Sequence, residues 1–152
     1  MPDKIFMAYV PKDAEWFLAD LVEEIRVAGS KKNIVHINYV LIYASSPNEA
    51  YTQAMELGKQ SRTSYQNSDG KKVTIRFRGL GNLDVIHEPL EHGCEIMFRE
   101  KLGITEKGIK KLIRTRRELE VFQPIKGRRG RPDYSSKEIM DEVKKALPNK
   151  KK

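Results

Sequence analysis

The chain reads as an α+β protein: an antiparallel sheet with one helix packed on a face, followed by a C-terminal helix and a basic arm. Three observations carry that reading. Strand-patterned runs follow one another across short, turn-rich connectors. A single well-signalled helix, starting at Pro47, falls among them. Charge is then segregated: residues 1–100 hold 12 Lys/Arg against 14 Asp/Glu, whereas residues 101–152 hold 17 against 7, so the whole +8 surplus lies behind a near-neutral body.

Taken in order, Ile5 to Val10 is a short strand-like run ended by Pro11. Trp16 to Val27 fits two periods. At period two, Phe17, Ala19, Leu21, Ile25 and Val27 share a face, interrupted by Glu23; at period 3.6, Leu18, Leu21, Val22 and Ile25 do. Ala28 to Asn33 is a turn-rich connector. Ile34 to Ala44 is the clearest strand, with Val35, Ile37, Tyr39, Leu41 and Tyr43 on one face. Ser46 can then cap a helix, with Pro47 in its first turn and Glu49 at capping-box spacing. Ala50, Ala54 and Leu57 form its inward stripe, and Gly58 weakens its last turn.

Asn67 to Gly70 is a turn, leading to a strand with Val73, Ile75 and Phe77 facing in and Thr74, Arg76 and Arg78 facing out. Gly79-Leu80-Gly81-Asn82 interrupts it as a bulge or bend. Leu83 to Ile86 resumes it, and Cys94 to Phe98 is a last strand. Thr105 caps a helix running to Phe122, whose Ile109, Leu112 and Ile113 are expected to pack on the sheet. Gln123 to Tyr134 is Gly- and Pro-rich linker. Ser135 or Ser136 caps a short final helix carrying Ile139, Val143 and Leu147, ended by Pro148. The expected organisation is a strand-like segment at 1–12, an α+β domain at 13–102, a helix at 103–122, a basic Gly/Pro linker at 123–134, and a short helix with a lysine tail at 135–152.

The run from Asn33 to Tyr51, with Ser46-Pro47-Asn48-Glu49-Ala50-Tyr51 at its end, resembles a family of small bacterial proteins known only as a domain of unknown function. Ala54 to Lys59, Tyr65-Gln66-Asn67 and Arg76-Phe77-Arg78-Gly79-Leu80 continue the resemblance, which covers roughly residues 16–98. It implies that Trp16 to Val27 is a strand. It also implies a bacterial, cytoplasmic and non-enzymatic protein. No functional residue comes with it.

Composition and motifs exclude much. No apolar stretch approaches the ~20 residues of a membrane helix, and no charged leader with a cleavage site follows Met1, which argues against export. One cysteine, Cys94, allows no intramolecular disulfide and fits a reducing cytoplasm. His87 to Cys94 is rich in ligand types. Its histidines are five apart across Pro89, however, so a polar turn accounts for it better than a metal site, and no metal or cofactor is expected. Gly79-Leu80-Gly81 lacks the later glycine or lysine and the helix of a phosphate loop. Leu102 to Thr105 before Ile109 and Leu112 imitates a helix-turn-helix, but Arg99 stands where that motif buries a small residue. His36 and Cys94 read as packed residues, and Asp84, Glu88, Glu91 and Glu95 have no catalytic spacing, so no enzyme is expected.

The remaining signal is charge. Lys126-Gly127-Arg128-Arg129-Gly130-Arg131-Pro132 interleaves cations with glycine, and its Arg-Gly-Arg-Pro core resembles an AT-hook; Asp133 and Tyr134 follow where hooks stay basic. The expectation is a binding module that contacts DNA or RNA phosphates through Arg114, Arg116, Arg117, Lys126, Arg128, Arg129 and Arg131, with little sequence specificity. Lys72, Arg76 and Arg78 form a secondary basic face. The competing expectation is a protein-interaction partner, such as an immunity or accessory subunit in a bacterial conflict or defence system, docking through helices 105–122 and 135–147.

Overall fold

The computed structural model describes residues 9–124 and 131–146. Its centre is a four-stranded antiparallel sheet in the order β2-β1-β4-β3. The strands are β1 (Trp16–Val27), β2 (Ile34–Tyr43), β3 (Thr63–Gln66) and β4 (Lys72–Val85). Helix α1 (Pro47–Gln60) connects β2 to β3 and packs on one face. The ambiguous Trp16 segment is thus a strand, and period two prevails: Phe17, Ala19, Leu21, Glu23, Ile25 and Val27 are all buried. The expected α+β architecture stands. The expected strand at Ile5 to Val10 falls mostly outside the described residues, and Tyr9 and Val10 are not in a strand.

Helix α1 starts as its sequence dictates. The Glu49 amide donates to Ser46 Oγ at 3.1 Å, and Pro47 sits at the first turn. The Glu49 carboxylate reaches back one residue further than a capping box requires, accepting from the Ser45 amide at 3.1 Å and from the Ser45 hydroxyl. Ala50, Ala54 and Gly58 are its buried stripe, and their small side chains let the helix lie close on the sheet. Leu57, expected on that stripe, is exposed. Here the first core forms, from Phe17, Ala19, Leu21, Ile42, Ala44, Ala50, Ala54 and Val85.

Strand β4 is continuous through the glycine stretch because it bulges twice. Asp20 pairs with Asn82 and Leu21 with Leu80, skipping Gly81; Val22 pairs with Gly79 and Glu23 with Phe77, skipping Arg78. The two insertions keep Leu83, Leu80 and Phe77, each three residues apart, against the same core. Gly79, at φ 142°, supplies a backbone conformation other residues rarely adopt.

A second core, Ile25, Val27 and Val73, is ringed by Ile34, Tyr65, Ile75 and Tyr134. Tyr134 comes from the expected linker. The Tyr65 hydroxyl donates to the Tyr134 carbonyl, Asn67 Nδ2 to the Asp133 carbonyl at 2.9 Å, and Ser68 Oγ to the Asp133 carboxylate at 3.1 Å. Asn67 also bridges Ser136 as an isolated antiparallel pair. Residues 131–136 are therefore part of the folded body, and α3 (Lys137–Ala146) follows them, with Ser136 Oγ accepting from the Ile139 amide at 3.4 Å.

The middle of the chain departs from expectation. Cys94 to Phe98 is not a strand: no neighbouring strand takes its hydrogen bonds. The helix expected from Thr105 to Phe122 is a seven-residue α2 (Glu106–Leu112), capped by Thr105, and then two single 3₁₀ turns at Arg116–Glu118 and Glu120–Phe122. Ile109, Leu112 and Ile113 do not pack on the sheet; they are exposed. A helix this short is marginal without tertiary packing, and β-branched Ile113 and Thr115 favour its extended exit.

Candidate nucleic-acid interface

The segment from Arg99 to Arg117 carries eight Lys/Arg against Glu100 and Glu106, and every one of those charged residues is exposed. Arg114, Arg116 and Arg117 are at its end, on and before the first 3₁₀ turn. The Arg116 guanidinium lies 4.0 Å from the centre of the Phe122 ring, which orients it without neutralising it. Among the described residues, the ion pairs join Glu24 to Arg26 and Arg78. Among the described residues no carboxylate pairs with the cations of this arm, which leaves them open to an outside anion. Around α2, Ile104, Ile109 and Leu112 floor a shallow cleft of about 550 Å³ whose rim is Arg99 and Lys101.

Lys126, Arg128 and Arg129 lie outside the described residues. Arg131 is described and exposed. It shares an open cleft of about 390 Å³ with Lys32 and Lys71, between the β1–β2 and β3–β4 turns, in which Asp69 and Asp133 also take part. Sequence reading missed Lys32 and Lys71, which are remote from Arg131 in sequence. The docking of Asp133 and Tyr134 brings them together. The same docking explains why the Arg131-Pro132 stretch does not continue as a hook: the next residues are committed to the second core.

The secondary face is only partly available. Lys72 and Arg76 are exposed. Arg78 is tied to Glu24 at 3.4 Å, and Glu24 also accepts from Asn33 at 2.6 Å and from Arg26 at 3.1 Å. The Asn33 hydrogen bond, then the Arg26 and Arg78 charges, hold the Glu24 carboxyl below its usual range. Glu23, beside it in sequence, points the other way, buried and accepting from Asn38 Nδ2 at 3.0 Å.

Other motifs resolve simply. Residues 95–102 are not helical, so a helix-turn-helix lacks its first helix. His36 sets its ring edge-on against Tyr134, 5.3 Å between centroids, and Cys94 is half-buried. The Glu95 amide donates to Glu88 at 2.8 Å, an organised turn. Among the described residues, no three His, Cys, Asp or Glu side chains group as metal ligands, and no helix is long and apolar enough to cross a membrane.

Neither the curated proteins nor the solved structures contain a match to this chain. One family model does match, over residues 16–98, from the first strand to just beyond the sheet and short of both the arm and Tyr134. The chain belongs to that family, described as Domain of unknown function (DUF4288).

Proposed function

We infer that the protein is a non-enzymatic nucleic-acid-binding module, in which the small α+β body presents a basic arm to phosphates. The observation that carries this is the exposure of eight cations within residues 99–117, with no ion-pair partner among the described residues. An arm that buried its charges in ion pairs would have no such use. Arg114, Arg116, Arg117 and Arg131 engage phosphates, together with Lys126, Arg128 and Arg129, and sequence preference is slight because backbone contacts carry no base information. The lone Cys94 suits a reducing compartment, so the proposed setting is the cytoplasm.

Fluorescence anisotropy with a duplex and a single strand across a salt series tests this on the full chain. With about six phosphate contacts, the slope of log affinity against log salt is near −5. Replacing Arg114, Arg116 and Arg117 together with alanine makes it shallower by roughly 3. Absence of binding at ~50 mM salt would sink the reading.

A second reading, a protein-interaction partner such as an immunity or accessory subunit of a defence system, has its own support. Leu102 (86% exposed), Val121 (83%) and Ile113 (70%) expose apolar surface within the same arm. Under it, Leu102→Asp and Ile113→Asp abolish binding to the partner, and charge removal does not.

A further inference from the structure

The two edges of the sheet are treated differently. β3 is four residues long, and the chain just after it is bridged by Ser136. β2 is ten residues long, pairs with β1 in an uninterrupted register, and contains no proline, glycine, lysine, arginine or carboxylate. Short length, bulges, proline and charge are the devices that keep a sheet edge from pairing, and β2 has none of them. Its outer face adds Val35, Ile37, Tyr39, Leu41 and Tyr43, each about half exposed. At ~200 Å² for a whole tyrosine side chain, Tyr39 (50%) and Tyr43 (58%) alone present about 200 Å², and the stripe on the order of 500 Å².

We propose that this edge is covered by β2 of a second copy of the chain, antiparallel across a two-fold axis near Tyr39, giving an eight-stranded sheet. Three observations select a second copy. The strand is uncharged, so two chains of net charge +8 meet there without repulsion along the contact. The strand's ends are of opposite sign. Lys31 and Lys32 precede Ile34, whereas Asp13, Glu15 and Glu49 surround Tyr43 at the other end, with Lys12 the one cation among them. An antiparallel two-fold sets each basic end against the partner's acidic end; a parallel arrangement would set like against like. Finally, the stripe is symmetric about Tyr39. Val35 falls opposite Tyr43 and Ile37 opposite Leu41, the aromatic and branched pairs that stabilise sheets. The pairing joins backbone hydrogen bonds along the edge to cross-strand contacts along the flank of the stripe and to the charged ends.

The test uses the full chain freed of nucleic acid. Sedimentation or light scattering at ~100 μM should give a dimer, about twice the 17.6 kDa of one chain. Tyr39→Lys, a change at an exposed position, should raise the dissociation constant about 100-fold or more. Independently, with Cys94→Ser as background, Tyr39→Cys should form an intermolecular disulfide on mild oxidation, because position 39 meets its own copy across the two-fold, whereas Ile37→Cys alone and Leu41→Cys alone should not, since each faces the other position of the partner. A monomer at ~100 μM overturns the proposal. So does a dimer that tolerates Tyr39→Lys and gives no disulfide with Tyr39→Cys. Neither result depends on whether the arm binds nucleic acid.

Discussion

Gly58 stands where an ideal Cβ would lie 2.4 Å from Cζ of Phe77 and within 2.6 Å of two further ring carbons. Alanine there would gain up to ~1 kcal/mol of helix propensity, less in a last turn, but it must displace a ring packed against the first core. Overpacking of that kind costs about 1–3 kcal/mol, so the clash outweighs the propensity. Gly58→Ala is expected to lower stability by about 1–2 kcal/mol in urea titration, with Phe77→Leu recovering part of the loss in the double variant. Unchanged stability would mean that Phe77 has room to move. The sequence marks Gly58 only as a poor helix former. What makes it fit is a ring on β4, nineteen positions away, which no local pattern reveals.

Elements are legible where their pattern is local and their partner is close. Helix α1 shows itself through Ser46, Pro47 and Glu49, all within one turn. β2 was evident as a strand, but both of its faces are apolar: Ile34, Val40 and Ile42 alternate with Val35, Leu41 and Tyr43. Only the pairing with β1 decides which set α1 covers. β3 was missed because four residues carry too little alternation to read. Cys94 to Phe98 has strand composition but no partner, and strand pairing is settled non-locally. The second core lies furthest from local reading, since Tyr134 covers Ile25, Val27 and Val73 from beyond residue 130. Removing everything after Phe122 is therefore expected to cost about 2–4 kcal/mol, much of it reproduced by Tyr134→Ala, as seen by thermal or chemical melts. A truncated chain as stable as the whole would show that the segment is ornamental. If the loss is as expected, truncation is the wrong control for arm charge, and point substitutions must replace it.

At the scale of the whole molecule, the charge asymmetry was fully readable, whereas its accessibility was not: composition cannot tell an arm of free cations from one folded into ion pairs. The near-neutral body depends on its carboxylates, and two of them link stability to pH. Hydrogen bonds from the Ser45 hydroxyl and amide hold Glu49 below the usual carboxylate range, and Asn33, Arg26 and Arg78 do the same for Glu24. A carboxyl depressed in the folded state contributes stability that is present above its unfolded value, near pH 4.3, and lost as pH falls through the folded value. Below that range the fold also loses the negative charge that offsets 29 Lys/Arg, so self-repulsion acts in the same direction. The melting temperature should therefore begin to fall near pH 4.5 and fall progressively below it. Glu49 is exposed and screened by solvent and salt, so its part of the slope should be gentle, whereas the Glu24 side chain, 13% exposed, is screened less. Glu24→Gln should lower stability at neutral pH and flatten the acid limb, because the variant has already lost what the proton removes. An acid limb of unchanged steepness in Glu24→Gln, measured at two salt concentrations, would assign acid sensitivity to global repulsion and take Glu24 out of the account.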